Sequence, residues 1–474
     1  MTPLADLARS MFATAVAAVA PDALIRRIAF FPDGIAFGEA SLRPAGRMHL
    51  VALGKAAPGL AASFLHRCRR PPDSVFVLTP EGVPTPASVA PFTRYAGHPL
   101  PDSRGAAATR ELLETAVAAA PADGVLVLLS GGSSALLAET LPHANRRQLS
   151  ALTSALLGAG APIHELNAVR KHLLAAAGGR LAASCPASIM TLVVSDVPGD
   201  DFSSIASGPT VADPTTFADA LAILERRSVS AAFPDIVAFF AAGARGQHAE
   251  SPKPGDSRLA RASTHLLGSS RDALGAAAAA AQQAGFRTCE LTHTLRGEAR
   301  DVGAALAAMA SALAPGEATA LLFAGETTVT VHGSGCGGRN LELALAAACK
   351  LADVPERCLL AAGSDGIDGV SPAAGAVVDG GTLARGAACG RDPVAALENN
   401  DAWGFFEGLP DAIVTGPTGT NVADVVFVLA AGGVPEFVPV ARTLSERLPT
   451  SPGDVLPRRG QRSSLRRSWL HCQR

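Results

Sequence analysis

The stretch GETTVTVHGSGCGGRNLELALAAACK, Gly325 to Lys350, poses the first question about the fold. An alternating run of β-branched residues leads into a glycine cluster, and an Ala/Leu-rich segment leads out of it. The pattern predicts a strand, a tight loop and a helix in that order. Gly333, Gly335 and Gly338 also satisfy G-x-G-x-x-G, which at such a junction cradles the phosphates of a dinucleotide. The surroundings fit that reading poorly. A dinucleotide site needs an acidic residue about 20 positions on, ending the next strand, to hold a ribose. In LADVPERCLLAAGSDGIDG, Asp353 and Glu356 come before that strand, and Asp365 follows it but much further along the chain than that spacing. Arg339, directly after the glycines, instead places a bidentate cation at a helix start, suited to phosphate or carboxylate.

Outward from this stretch, short apolar runs alternate with Ala/Leu-rich helical segments. MHLVALG (48–54), SVFVLTP (74–80), GVLVLLS (124–130) and TLVVSDV (191–197) read as buried strands. Such alternation predicts α/β architecture with mostly parallel sheets. The polar segment RGQHAESPKPGDSRLA (245–260) carries Pro and Gly and lacks apolar periodicity, which marks a linker. The expected organisation is a first α/β domain over 1–244, the linker over 245–260, and a second α/β domain over 261–435. A weakly structured tail rich in Arg, Pro and Ser occupies 436–474.

Composition narrows the function classes. A chain of 474 residues suits two or three domains, and 48% hydrophobic content supplies ample core. The net charge of −2 gives no reason to invoke nucleic acid or an anionic membrane, and 4% aromatic content argues against base-stacking platforms. Eight cysteines show no C-x-x-C spacing, which fits reduced thiols better than a disulfide framework or a zinc site. MFATAVAAVA (11–20) resembles a signal-peptide core, but Asp6 precedes it and Pro21-Asp22 follow, as in the first helix of a soluble domain. No apolar run approaches the roughly 20 residues of a membrane span. A cytoplasmic protein is expected. Only four lysines stand against 36 arginines, so each lysine invites a question.

In open α/β sheets, ligands bind where strands end and helices begin. Several junctions carry suitable side chains. In LGKAAPG, Lys55 follows a strand and can reach a phosphate or carboxylate, although a solvated lysine would look the same. In LLSGGSSALL, Gly131 and Gly132 allow close approach, and Ser133 and Ser134 add hydroxyls to an anion nest or merely cap a helix. In SDVPGDDFSSIASGPT, Asp196 ends a strand with Asp200 and Asp201 close behind. That cluster suits Mg²⁺, proton acceptance or simple turn formation. GSDGIDG offers Asp365 and Asp368 but is too short for an EF-hand. His98 and His172 lack partners at metal or triad spacing and read as packed side chains. No G-x-x-x-x-G-K-[ST] and no G-x-S-x-G occurs.

Taken in order, VALGKAAPGLA, AGHPLPDSRG, LLSGGSSALL, LNAVRKHLLAAAGGRLA, VVSDVPGDDFSSIASGPTVADPTT, GETTVTVHGSGCGGRN, GSDGIDG and VTGPTGTN resemble the glycerate 2-kinases with a C-terminal MOFRL domain. The resemblance runs from about residue 5 to about 430. It implies a larger Rossmann-like N-terminal domain, a smaller α/β domain and an active site in the cleft between them. It also implies ATP- and Mg²⁺-dependent phosphorylation of D-glycerate, usually at the 2-hydroxyl. By matching motif, Lys55, Asp196, Glu326, Arg339 and Asp365 are the functional positions. On this reading Lys55 and Arg339 neutralise charge, and Asp196 or Asp365 holds Mg²⁺ or accepts the hydroxyl proton. Glu326 and Ser134 contact substrate, and Gly131, Gly132, Ser133, Gly335, Gly337 and Gly338 line the phosphate loops. The sequence departs from the family at Ser133, at Ala324 and at Gly363-Ser364, which leaves the charged groups intact. Hydroxypyruvate reductase and a non-catalytic sugar-acid sensor are the alternatives. Small molecules are the expected partners, without nucleic acid or membrane, and homo-oligomer formation stays open.

Overall fold

The computed structural model describes residues 2–313 and 317–431; the tail expected over 436–474 lies outside them. The chain opens with a helix, Pro3–Ala18, whose start is set by Pro3 and by the Thr2 hydroxyl accepting the Ala5 N–H. A small antiparallel sheet follows, made of β1 (Ala29–Phe31), β2 (Gly34–Phe37) and β3 (Ala40–Leu42).

Six strands then build the first large sheet: β4 (Met48–Leu53), β5 (Ser74–Pro80), β6 (Thr93–Ala96), β7 (Gly124–Leu129), β8 (Ser188–Val194) and β9 (Ala262–Gly268). Their order is β6-β5-β4-β7-β8-β9, and every pairing is parallel. The central strands β4, β7 and β8 are buried along almost their whole length, as strands covered on both faces must be.

The second large sheet contains β10 (Arg287–Leu295), β11 (Thr319–Gly325), β12 (Arg357–Gly363), β13 (Gly375–Asp379), β14 (Ala412–Ile413) and β15 (Asp424–Ala430). Its order is β10-β11-β15-β12-β13-β14. Here the expectation of mostly parallel pairing fails, because only β10 and β11 run parallel. The segment joining β12 to β13 contains no helix, and a connection without a crossover permits only antiparallel neighbours. β15 then enters antiparallel between β11 and β12.

The expected strand before the glycine loop is also corrected. β11 ends at Gly325, and the β-branched run beyond it leaves the sheet. Thr330 donates both its N–H and its hydroxyl to Glu298, at 2.9 Å each, so its polar groups are satisfied outside the ladder.

Two segments lie in the lobe opposite to their place in sequence. β9, expected in the second domain, forms an edge of the first sheet against β8. Helix Pro3–Ala18 packs on β12, β13 and β15 of the second sheet and on helix Ser270–Gln283. Thr2 reaches Asp379 at 3.0 Å, and Arg9 donates to the Ala412 carbonyl at 3.2 Å. One hydrophobic core therefore passes through both lobes, from Leu50, Leu126 and Leu192 past Met11 and Phe12 to Leu322, Leu360 and Phe427. The expected linker is not free either. Ser251 donates to buried Asp213 at 2.8 Å, the Asp213 N–H donates to the Pro252 carbonyl at 2.8 Å, and Glu250 lies 3.0 Å from His172 Nε2. The buried polar groups of the first lobe need these partners. Among the described residues no helix is long and apolar enough to cross a membrane.

Met11 is fully buried where the two lobes meet. Met11→Ala should lower unfolding free energy by about 2–5 kcal/mol, the usual cost of such a truncation. Denaturant titration checks this, and a loss under about 1 kcal/mol would contradict the packing described.

Candidate active site

Four loops at the C-terminal edge of the first sheet form one wall of the site. After β4, Gly54 has a φ of +105°, and a Cβ there would lie 2.4 Å from the Ser130 carbonyl oxygen. This bare backbone lets the loops after β4 and β7 join. The Lys55 N–H donates to the Gly131 carbonyl at 2.9 Å, and the Ala56 N–H donates to Ser130 Oγ at 3.1 Å. Lys55 thus leaves a fixed base. At Gly131 a Cβ would fall 1.7 Å from Asp196 Oδ2, so the carboxylate at the end of β8 rests directly against this glycine.

The second wall comes from the other sheet. Pairing of β15 with both β11 and β12 sets Gly325, Asp424 and Gly363 side by side. Glu326, Asp424 and Asp365 are gathered as a result. Arg339 enters from the start of helix Arg339–Leu351. Its Nη1 lies 2.9 Å from Glu326 Oε1, and its Nη2 and Nε donate to the two oxygens of Asp424, the former at 3.0 Å. Asp365 and Asp424 both flank Gly363, where a Cβ would come within 3.2 Å and 3.4 Å of their respective oxygens.

Two contacts close the walls on each other. Lys55 Nζ lies 3.1 Å from Asp365 Oδ2, and Asn421 Nδ2 donates to Asp196 Oδ2 at 2.9 Å. A chain of charges therefore runs from Lys55 through Asp365, Asp424 and Arg339 to Glu326, with the two acids Asp365 and Asp424 side by side between the cations. Loss of hydration, and then the nearby Glu326 carboxylate, push the Asp196 carboxyl up to about 6, with Lys55 opposing. For Arg339, burial works against the charge, but Asp424 and Glu326 outweigh it and hold the guanidinium well above its ordinary value.

The structure brings Lys55, Asp196, Glu326, Arg339 and Asp365 together, as the sequence led one to expect. It employs several loop residues otherwise. Ser133 is buried and its hydroxyl donates to the Ser130 carbonyl at 2.7 Å, so that hydroxyl fixes the loop. Ser134 instead accepts from Ser207 Oγ at 3.1 Å. In the opening glycine stretch, the N–H groups of His332 and Gly333 donate to Asn400, those of Ser334 and Gly335 to Asn399, and that of Cys336 to Asp401. A Cβ at Gly335 would meet Asp401, and one at Gly338 would meet Asp368. Asp368 caps the helix by accepting from the Asn340 and Leu341 N–H groups at 3.1 and 2.8 Å. At Gly337 the carbonyl accepts the Val370 N–H at 3.2 Å. Gly335, Gly337 and Gly338, expected to cradle phosphate, therefore lie in a packed bracket that delivers Arg339 to the cleft. Asp201 serves as a turn former, accepting from Ser203 and Ser204.

Sequence reasoning did not single out Asn421, although it ends the motif VTGPTGTN, and it missed Asp424, whose only signal was its place at the entry to an apolar strand. It also set His98 aside. A Cβ at Gly132 would lie 3.2 Å from the His98 ring and 3.3 Å from Lys55 Cγ, which puts that exposed imidazole in the cleft.

Comparison with known proteins agrees with this geometry. A family model described as a domain of unknown function (DUF4147) matches residues 7–241, and the MOFRL family model matches 319–424. A putative hydroxypyruvate reductase of Agrobacterium vitis is 40% identical over 395 residues, covering 82% of this chain and 88% of that protein. A D-glycerate 2-kinase of Thermotoga maritima is 37% identical over 408 residues, covering 85% and 95%. The crystal structure of a glycerate kinase from the same organism superposes with a TM-score of 0.76 at 35% identity, covering 90% of this chain and 99% of that one. Fold and cleft define an α/β protein of two lobes with the candidate site in the cleft between them. The chain belongs to the glycerate 2-kinase family with a C-terminal MOFRL domain.

Because Gly131 has no room for a side chain, Gly131→Ala should displace Asp196. Catalytic efficiency should fall roughly 10²-fold, the scale of an ångström misplacement, while the fold melts normally. Steady-state kinetics beside a thermal melt check this; efficiency near wild type would contradict the placement of Asp196.

Proposed function

We infer that the protein is an ATP-dependent kinase that phosphorylates D-glycerate at the 2-hydroxyl, giving 2-phosphoglycerate and ADP. The observation that carries this reading is the cleft that unites Lys55 and Arg339 with Asp196, Glu326 and Asp365, in a chain whose relatives include a D-glycerate 2-kinase. Phosphoryl transfer needs positioning and neutralisation of charge more than covalent help. Lys55 and Arg339 supply that neutralisation from opposite walls, each held in place by a carboxylate.

Asp365 is balanced by Lys55 and Asp424 by Arg339. Asp196 has no such cation in contact, and the charge of Glu326 bears on it. Among the described residues no preformed group of three or more metal-ligating side chains exists. That suits Mg²⁺, which is commonly held by one or two carboxylates and the phosphates of its nucleotide. Asp196 and Glu326 would hold it, and when bound it would supply charge neutralisation at the transferred group.

A reductase reading needs a cradle for a dinucleotide. The one glycine pattern that resembles such a cradle has the N–H groups of residues 332 to 336 already donated within the protein.

A coupled ADP-release assay with D-glycerate should show turnover that a metal chelator abolishes, and phosphorus NMR should place the phosphate on the 2-oxygen. Consumption of NAD(P)H with hydroxypyruvate, without glycerate-dependent ADP release, would contradict the reading. Arg339→Ala should lower turnover by roughly 10³-fold or more, the scale of an essential transition-state cation. Turnover within about tenfold of wild type would remove Arg339 from the mechanism.

A further inference from the structure

The first-sheet wall carries polar groups that the charge chain does not use. On helix Ile163–Lys171, Asn167 and Arg170 stand one turn apart and so share a face. Ser207 Oγ lies 3.0 Å from Asn167 Oδ1 and 3.1 Å from Ser134 Oγ, which ties that face to the loop after β7. Asn167 Nδ2 donates in turn to the Ser204 carbonyl at 3.0 Å. Ala206 and Ser207 hold left-handed φ values of 54° and 57°, which keeps the Ser207 hydroxyl turned into this cluster. His98 stands beside Lys55 over Gly132, near enough to Arg170 for the guanidinium charge to act on the imidazole.

The two walls differ in sign. The second presents Glu326, Asp365 and Asp424 with one cation, Arg339. The first presents Lys55, Arg170, His98 and the Ser134 hydroxyl around the acid Asp196. A small carboxylate is favoured where cations and neutral donors outnumber acids, and a guanidinium suits it by shape as well as by charge.

Resting on the kinase reading, we propose that the acceptor's carboxylate is seated on the first-sheet wall by Arg170, His98 and Ser134. Its 2-hydroxyl then points at Lys55 and Asp196. His98 and Arg170 are on this account substrate contacts that set specificity for a 2-hydroxy acid over its uncharged analogues.

The test measures Arg170→Gln and His98→Asn beside wild type, with D-glycerate and ATP varied separately and glyceramide as the uncharged acceptor. Both variants should melt as wild type does. The KM for D-glycerate should rise roughly tenfold or more, the worth of a hydrogen bond to a charged group, with the KM for ATP within about twofold. Arg170→Gln should also lose the preference for D-glycerate over glyceramide. A parallel rise in the KM for ATP, or an unchanged acid-to-amide preference, would overturn the proposal. Calorimetric binding of D-glycerate without nucleotide separates this from the kinase reading. Binding by wild type that Arg170→Gln loses would support the seat even if no phosphate were transferred. Equal affinity of the two, or none in wild type, would overturn it. Absence of glycerate-dependent ADP release would count against the kinase reading alone.

Discussion

Helix Pro3–Ala18 constrains everything else, because it begins the chain of the first lobe and is buried on the sheet of the second. With helix Ser270–Gln283 beside it, the apolar interior runs without a break from one sheet to the other. Domains joined by a small polar interface move freely, whereas a large apolar one restrains them. The walls of the cleft are therefore set by core packing. Contacts such as Lys55 with Asp365 and Asn421 with Asp196 form between surfaces already held in register.

That register explains the electrostatics. Like charges gathered at the end of one sheet would repel, and Glu326, Asp365 and Asp424 are brought together by strand pairing alone. Arg339 from the same lobe and Lys55 from the other offset them. Asp196 is left with a neutral partner, Asn421, and a carboxyl pushed up to about 6. A fixed pattern of this kind is what transfer of a highly charged group requires, since no reorganisation is needed at the moment of reaction.

Much of this was legible in the sequence, for identifiable reasons. The strands around residues 48–53, 74–80 and 124–129 were readable because buried parallel strands are continuous apolar runs. Lys55, Asp196 and Asp365 were readable because ligands collect where strands end. What stayed hidden depends on pairing between distant segments. The antiparallel entry of β15, the transfer of β9 to the first sheet and the crossing of helix Pro3–Ala18 leave no local trace. Asp424 acquires its role only when strand pairing puts it beside Gly325 and Gly363. The glycine stretch was half legible. Its helix and Arg339 were expected, but the partners that occupy its N–H groups, Asn399 to Asp401, come from more than sixty residues away.

The central claim is that cations and carboxylates from two lobes act as one unit, and the Lys55–Asp365 pair is the ion pair that crosses the cleft between them. A double-mutant cycle on catalytic efficiency with Lys55→Met and Asp365→Asn addresses it most directly. Groups acting as a unit give strongly non-additive losses, so the double variant should be little worse than the poorer single one. Losses that multiply independently would show that the two residues do not work together across the cleft, and would contradict the account.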